Sequence, residues 1–239
     1  MEVTFRIGYY TRPGQSLWLA GSAPLPPQPA PMQFADAEHW QVTLSLPTDG
    51  RLNYGYILRQ PDGTQIADWG RDRHLVLHEF AARELLVLDS WNQPGYIENV
   101  FYTAPFQKVF LAENPTETKP VALAKATHTF RVKAPLLKKN ETLCLLGECA
   151  TLGYWNTRSA VLLGREQNSD YFSVALDLRG ETFPIAYKYG VFDLEKHVFL
   201  RYEDGANRVL WDEIKRDRHT VAADGFARLP LEPWRGAGV

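Results

Sequence analysis

The chain has 239 residues, a formal net charge of −2, 45% hydrophobic residues and 23% charged residues. This composition is ordinary for a globular protein, and the length suits two domains of about a hundred residues each. No block of Lys or Arg indicates a nucleic-acid-binding surface. No apolar run is long enough to span a bilayer, and the N-terminus has no signal-peptide pattern. The sequence therefore predicts a cytoplasmic protein without nucleic-acid or membrane partners.

Residues 1–91 predict a series of short β-strands. Apolar and polar residues alternate with the period of two that is typical of half-buried strands. The predicted strands cover residues 3–9, 16–21, 40–46, 52–59, 65–69, 75–78 and 84–89. Residues 24–31 are proline-rich, and the missing backbone donors exclude a regular element there. Short strands separated by turn residues predict an antiparallel sandwich or barrel.

The pattern loosens over residues 92–126 and then resumes. We expect 92–126 to be a connector that packs against a domain, because it carries several aromatic residues. Further strands are predicted at residues 128–133, 142–147, 160–163, 171–178, 184–192, 197–202 and 218–222. Residues 127–222 thus form a second predicted domain, and 223–239 form an exit segment.

The two β-rich segments align with each other as an internal repeat. The matched segments are 18–22 with 144–148, 40–44 with 171–175, 53–56 with 186–189, and 72–73 with 207–208. The offset between the copies drifts by a few residues, as small loop insertions produce. The sequence therefore predicts two copies of one β-domain in tandem.

Three short motifs in the second copy carry a family resemblance. They are Leu-Gly-Tyr-Trp at 152–155, Tyr-Lys at 187–188, and an aromatic-Glu pair at 202–203 followed by Gly-Ala-Asn-Arg at 205–208. These motifs resemble the starch-binding modules of carbohydrate-binding family 20. The resemblance implies an all-β fold of two immunoglobulin-like antiparallel β-sandwiches in tandem, with non-catalytic binding of α-1,4-glucan such as starch, glycogen, maltodextrin or cyclodextrin.

Both ends of the chain carry a second resemblance. Residues 9–17 and 234–239 resemble the amylomaltase-type 4-α-glucanotransferases of glycoside hydrolase family 77, as found in the cytosolic plant disproportionating enzymes and their bacterial relatives. Those enzymes carry two family 20 modules before a catalytic barrel. The resemblance implies a degenerate module at 1–91, a binding module at 127–222, and a glucanotransferase whose own catalytic domain is a partner and is absent from these residues.

A pyranose ring presents an apolar C–H face and a rim of hydroxyls, so its site needs an exposed aromatic ring and fixed polar groups. Trp155 is the predicted stacking platform because it lies in a Gly-Tyr-Trp-Asn turn. By resemblance, Lys188 binds a glucose hydroxyl, Tyr202 stands where the family has Trp, and Glu203 and Asn207 contact the hydroxyl rim. Arg208 is expected to be structural. Tyr187 and Tyr189 alternate with Lys188, so the strand period predicts that they face the opposite side, towards the core.

Other aromatic residues are weaker candidates for substrate binding. Tyr171 occupies the position of the family's second-site Trp, although Lys139 lies where a loop Tyr is expected. In the first copy Trp40 matches Tyr171 and Trp69 matches Tyr202, while Gly55 replaces the lysine. Trp40 and Trp69 are equally consistent with core positions.

Catalytic, metal and cofactor sites are not indicated. Glycoside chemistry needs two carboxylates that flank one bond in a cleft, whereas the acidic residues here lie in predicted turns. The six histidines lack ligand spacing, and the two cysteines match no zinc or redox motif. The alternative function is a structural pair of sandwiches that mediates oligomerisation, including a homodimer, or docks the catalytic domain. That alternative predicts that Trp155, Lys188 and Tyr202 are dispersed or buried.

Overall fold

The structure, a computed structural model, describes residues 1–70, 73–93, 95–102, 125–134, 137–166, 169–211 and 213–229. We call residues 1–102 the N-terminal half and residues 125–229 the C-terminal half. Residues 103–124 of the predicted connector and 230–239 of the predicted exit segment lie outside the described residues. The predicted domain bounds stay a prediction.

Short strands form most of the regular structure in both halves. The strands of the N-terminal half are β1 (Glu2–Gly8), β2 (Ser16–Gly21), β3 (Ala30–Pro31), β4 (Gln33–Phe34), β5 (His39–Ser45), β6 (Arg51–Arg59), β7 (Gln65–Ala67), β8 (His74–Val76) and β9 (Glu84–Ser90). The strands of the C-terminal half are β10 (His128–Lys133), β11 (Glu141–Gly147), β12 (Val161–Leu162), β13 (Gly164–Arg165), β14 (Tyr171–Leu176), β15 (Ile185–Asp193), β16 (Val198–Tyr202), β17 (Arg208–Leu210) and β18 (Arg218–Phe226).

The helical segments are short 3₁₀ turns at Leu77–Glu79, Ile97–Tyr102, Ala150–Trp155 and Thr157–Ser159. Among the described residues, none of the helices has the length and apolar character needed to cross a membrane. The all-β fold class that the alternating pattern predicts is confirmed.

One sheet runs through both halves of the chain. Its strand order is β13-β14-β10-β18-β9-β1-β5-β4, and the halves meet where β18 pairs in parallel with β9. Each half adds its own smaller sheet, β3-β2-β6-β7 with β8 on β6, and β12-β11-β15-β16 with β17 on β15. The strand alternation predicts the strands of the shared sheet but not the β9–β18 pairing, because parallel partners need not be near in sequence.

Each half packs its small sheet against the shared sheet around its own core. Phe5, Leu17 and Tyr56 are buried at the centre of the N-terminal core, and Phe130 and Tyr189 at the centre of the C-terminal core. Side chains from the junction strands also reach the neighbouring half: Val221 of β18 belongs to the N-terminal core, and Leu88 of β9 packs against the C-terminal one. The burial of apolar surface therefore joins the halves as well as stabilising each one.

Candidate functional site

The outward face of the small C-terminal sheet carries two of the predicted binding residues. Tyr187 and Tyr189 of β15 point into the core and are 3% and 0% exposed. Lys188 lies between them, so it points to the other face, where it is half-buried. Tyr202 lies opposite Gly190 in the β15–β16 ladder and therefore shares that face with Lys188.

The segment that contains the half-buried Trp155 runs from β11 to β16 of the small C-terminal sheet. It starts at the end of β11, where Gly147 pairs with Tyr187. Its second turn, Thr157–Ser159, contacts β16, which is the other neighbour of β15. The segment thus links the two strands that neighbour β15, which carries Lys188. Leu146, opposite Lys188 on the same face, is fully buried.

The backbone around Trp155 is locally strained. Gly153, Tyr154 and Trp155 have φ values of 73°, 47° and 63°, three successive residues in the left-handed region. Residues with a Cβ disfavour this region by roughly 1–2 kcal/mol each. Two anchors just before these residues compensate for the strain: Leu152 is fully buried, and Thr151 donates from its backbone N–H and its hydroxyl to Glu181 at 2.8 and 2.7 Å. Strain of this kind clusters at ligand sites.

The turn after Tyr202 completes the surface. Lys188 Nζ donates a 2.5 Å hydrogen bond to the carbonyl oxygen of Gly205, which joins β15 to the turn that contains the exposed Asn207. The Tyr202 ring lies 4.6 Å from that of Phe199, and burial raises the pKa of its hydroxyl. We call Tyr154, Trp155, Lys188, Tyr202 and Asn207 the Trp155 surface.

The structure corrects the role predicted for Glu203. Its side chain is fully buried, and its two oxygens accept hydrogen bonds from Arg208 at 2.8 Å each and from the backbone N–H groups of Tyr189 and Arg228 at 3.1 and 3.0 Å. Burial opposes ionisation, but the Arg208 hydrogen bonds and charge outweigh it and lower the pKa of Glu203. Glu203 is therefore a buried ion-pair partner of Arg208 and does not reach a hydroxyl rim.

The N-terminal half contains an equivalent of this ion pair. Arg73 donates to both carboxylate oxygens of Asp68, and its Nε lies 3.4 Å from Asp89. The Tyr56 hydroxyl also donates to Asp89, at 2.6 Å. Asp68 is thus the counterpart of Glu203, which supports the predicted repeat and fixes its register.

This register corrects the match between Trp69 and Tyr202. Ala67 pairs with Ile57 in the N-terminal half, as Tyr202 pairs with Gly190 in the C-terminal half. Ala67 is therefore the counterpart of Tyr202, and Trp69 lies two residues further along the chain. The Trp69 side chain is 42% exposed, so its part in binding remains a prediction at a different position from the one expected.

Trp40 and Tyr171 are also not counterparts. Asp224 accepts a hydrogen bond from the Tyr189 hydroxyl as Asp89 does from Tyr56, so the two aspartates are equivalent. From Asp89 the strand pairing leads across β1 to Trp40, and from Asp224 it leads across β10 to Phe172, which is therefore the counterpart of Trp40. Trp40 is 5% exposed and belongs to the N-terminal core. Its predicted role as a stacking platform is wrong in this structure, because the exposed ring of Phe34 lies 4.0 Å from it and its own surface is covered.

Tyr171 is buried at the junction of the halves. It is 4% exposed, with the Arg131 guanidinium 4.3 Å and the Lys133 ammonium 4.8 Å from its ring centroid. Arg131 also bonds Glu166 and donates to the carbonyl oxygen of His74 in the other half at 2.9 Å. The predicted sugar contact of Tyr171 is therefore wrong: the ring supports the interface between the halves.

The described residues of the N-terminal half do not repeat the Trp155 surface. Gly55 and Ala67 occupy the positions of Lys188 and Tyr202, and the proline-rich residues 22–29 replace the segment that contains Trp155. Side chains that could hold a sugar at the equivalent place are missing from these positions.

Two exposed aromatic residues among the described residues of the C-terminal half were not predicted. Tyr154 is 68% exposed beside Trp155, and Trp211 is 72% exposed after the short strand β17. The alternation from Arg208 to Trp211 is a signal for Trp211, but a strand of three residues is too short for a reliable pattern.

Metal-binding and thiol chemistry have little support in the described part of the chain. No group of three His, Cys, Asp or Glu side chains there has an arrangement that could hold a metal ion. Cys144 and Cys149 are buried free thiols, and burial raises the pKa of Cys144 to about 12.

Comparison with known proteins finds a family match within the C-terminal half. Residues 125–220 match the starch binding domain family, CBM_20. The matched range contains the complete Trp155 surface. It also contains Trp211.

The CBM_20 match is accompanied by similarity to longer proteins. The rice (Oryza sativa subsp. japonica) 4-alpha-glucanotransferase DPE2 is 29% identical over 261 residues, which cover 100% of this chain and 27% of the rice protein. Among solved structures, the family 20 module of the maltotetraose-forming amylase from Pseudomonas saccharophila STB07 is 14% identical, with a TM-score of 0.33, covering 40% of this chain and 97% of that one. The family 15 glucoamylase of Hypocrea jecorina is 19% identical, with a TM-score of 0.33, covering 38% and 17%.

Proposed function

We propose that the C-terminal half binds α-1,4-glucan at the Trp155 surface without catalysing a reaction. The observation that carries this proposal is the strained Tyr154–Trp155 turn, which is followed by a turn that contacts β16, the strand that carries Tyr202. The CBM_20 match over residues 125–220 supports the same ligand class.

The residues of this surface suit the two chemical parts of a glucose unit. Trp155 and Tyr154 offer flat apolar faces for the C–H side of the ring. Lys188 has three N–H donors, of which one is bonded to Gly205, and its ammonium suits hydroxyl oxygens at the rim. Asn207 supplies an exposed amide, and the Tyr202 hydroxyl, whose ordinary pKa of about 10 is raised further by burial, is protonated at neutral pH and can donate.

Binding of this kind is expected to be weak for a single module. The surface is open and wet, and few of the ligand's groups are buried. A free glucan chain also loses conformational freedom when it is ordered. We therefore expect micromolar to millimolar dissociation constants, useful for keeping a protein on a polymer that offers many sites.

We further propose that the module targets a 4-α-glucanotransferase of the cytoplasm to polymeric or branched glucan. The support is similarity to the rice enzyme, although this chain spans 27% of the length of that relative. The chemistry of glucan transfer would then belong to that enzyme's own catalytic domain, held near the substrate by the module.

A structural role is the second candidate, and it applies to the N-terminal half. This half lacks the side chains of the Trp155 surface, while its strand β9 extends the sheet of the C-terminal half. We propose that residues 1–91 are a degenerate module that supports the binding module and offers a surface for docking the catalytic domain or a second copy.

The test is isothermal titration of β-cyclodextrin into the wild-type chain, Trp155→Ala and Trp69→Ala. The proposal predicts saturable binding that falls at least tenfold in Trp155→Ala and stays within twofold in Trp69→Ala. Equal affinity of the wild type and Trp155→Ala would reject the site. Loss of binding in Trp69→Ala alone would move the site to the N-terminal half.

A further inference from the structure

The short strand β17 carries an exposed apolar strip beside the Trp155 surface. Arg208 points inward to its buried ion pair, and Leu210 is 2% exposed in the C-terminal core. Val209 and Trp211 alternate with them and are 40% and 72% exposed. An exposed tryptophan next to an exposed valine at a sheet edge is a feature of binding surfaces more than of ordinary protein surface.

This strip lies on the same face of the sheet as Lys188. Val209 pairs with Ala186 of β15, and Lys188 is two residues beyond Ala186 on that strand. β15 and β17 run antiparallel, so Trp211, two residues after Val209, lies on the side of the Ala186–Val209 pair that is away from Lys188. At about 3.4 Å per residue, Lys188 and Trp211 are separated by roughly 14 Å along the strands. A linear oligosaccharide of several glucose units can span such a distance.

Carboxylates lie near the Trp155 segment and near β17. Glu148 accepts a 2.6 Å hydrogen bond from the backbone N–H of Ala186, which pairs with Val209, and Glu181 holds Thr151 at the start of the Trp155 segment. Glu181 also lines an open depression of about 450 Å³ with Thr182, Glu213 and Ile214. Glu213 is two residues from Trp211 in the sequence. An apolar strip with carboxylates near it suits a sugar chain, whose faces are apolar and whose rim donates hydrogen bonds.

We propose that the glucan site extends from the Trp155 surface across Val209 to a further stacking subsite at Trp211. The preferred ligand is then a linear α-1,4-glucan segment of several residues. This proposal rests on the proposed function, because it assumes that the Trp155 surface binds the same chain.

The test compares two ligands that contain seven glucose units each. Maltoheptaose is linear and can reach Trp211, whereas β-cyclodextrin is closed into a ring and can contact the Trp155 surface alone. Both are titrated into the full chain as wild type, Trp211→Ala, Trp211→Phe, Trp155→Ala and Tyr10→Ala. Tyr10, 81% exposed in the N-terminal half, is the matched control for the loss of an exposed ring.

We expect Trp211→Ala to lower the affinity for maltoheptaose about threefold to tenfold, because it removes one aromatic contact. Its affinity for β-cyclodextrin stays within twofold, Trp211→Phe recovers part of the loss, and Tyr10→Ala changes neither ligand. Trp155→Ala weakens both ligands.

Three outcomes would contradict the account, and they are distinguishable. Unchanged maltoheptaose affinity in Trp211→Ala, with both ligands lost in Trp155→Ala, overturns the Trp211 subsite alone. Unchanged binding in Trp155→Ala overturns the proposed function. A dimer seen by sedimentation that dissociates in Trp211→Ala, without a change in sugar affinity, makes a second copy the occupant of this strip and overturns the subsite.

Discussion

Replacing Glu203 by alanine separates a structural role for this residue from a binding role. The substitution removes the carboxylate but leaves Arg208 in place, 10% exposed in its side chain. Arg208 retains the carbonyl oxygens of Asp224 and Phe226 at 3.0 and 2.9 Å and the Asp224 carboxylate at 3.4 Å. The backbone N–H groups of Tyr189 and Arg228 lose their acceptor.

The cost follows from leaving one charge buried without its main partner. Removing one member of a buried ion pair destabilises a protein by about 3–5 kcal/mol. Since Asp224 and the two carbonyls still neutralise part of the Arg208 charge, we expect a loss of about 3 kcal/mol, near the low end of that range. For a chain of this size the loss corresponds to a fall in Tm of roughly 6–12 °C.

Urea unfolding and calorimetry of Glu203→Ala, with Asp204→Ala beside it, would measure this cost. Asp204 is the exposed neighbour, and its substitution is expected to stay within about 0.5 kcal/mol. If Glu203→Ala lowered the free energy of unfolding by less than about 0.5 kcal/mol and abolished β-cyclodextrin binding, the interpretation of Glu203 as a buried ion-pair partner would be wrong. The predicted contact of Glu203 with a glucose hydroxyl would then be restored.

The remaining predictions concern the surface, a thiol and a histidine. Lys188→Ala should lower the affinity for β-cyclodextrin several-fold, and titration of the variant measures this. It should lower the free energy of unfolding by less than about 1.5 kcal/mol in urea unfolding, because it removes one exposed hydrogen bond. Cys144 should resist a thiol reagent at pH 8 in the folded chain and react after unfolding, since burial raises its pKa to about 12; rapid labelling of the native chain would contradict this. Burial, with the nearby charges of His219 and Arg218, lowers the pKa of His128 to about 3. Neutral His128 stabilises the fold at pH values above its unfolded-state pKa of about 6.5. The contribution is lost as pH falls from 6.5 towards 3, by up to about 1.4 kcal/mol per pH unit. The prediction is refuted if the free energy of unfolding of His128→Gln, measured in urea, has the same pH slope as that of the wild type.

The strand alternation predicted which side chains of β15 face the core. The period of two placed Tyr187 and Tyr189 on one face and Lys188 on the other, as the structure has them. The prediction succeeds because the face of a side chain depends on local backbone geometry, which the alternation records.

Register between the repeats was harder to predict. Matching Trp40 to Tyr171 was wrong by one residue, and a shift of one residue moves a side chain to the opposite face of a sheet. Matching Trp69 to Tyr202 was wrong by two residues. Both errors arose because aromatic residues were aligned with each other, whereas the buried charge networks of Arg73 and Arg208 fix the register.

The sequence pattern also did not predict which polar groups are buried or which residues connect the two halves. Glu203 reads as an exposed turn residue, because nothing local shows that Arg208 and two backbone N–H groups surround it. The burial of Tyr171 depends on Arg131 and on β9 pairing with β18. These contacts join residues distant in the chain, so local pattern carries no record of them.

The shared sheet bears on how the binding surface is held. With β9 and β18 paired along residues 84–89 and 218–223, the halves form a continuous layer and are not joined by the connector alone. Removing the N-terminal half would expose the edge of β18 and its unpaired backbone groups.

The most direct test of glucan binding is the spectrum of the indole N–H groups with maltoheptaose added. The chain has seven tryptophans, whose signals can be assigned by single substitutions. Glucan binding at the Trp155 surface predicts a large shift of the Trp155 signal, with little change for the buried Trp40 and Trp91. Shifts confined to Trp18 or Trp69, with Trp155 unchanged at saturating sugar, would contradict it.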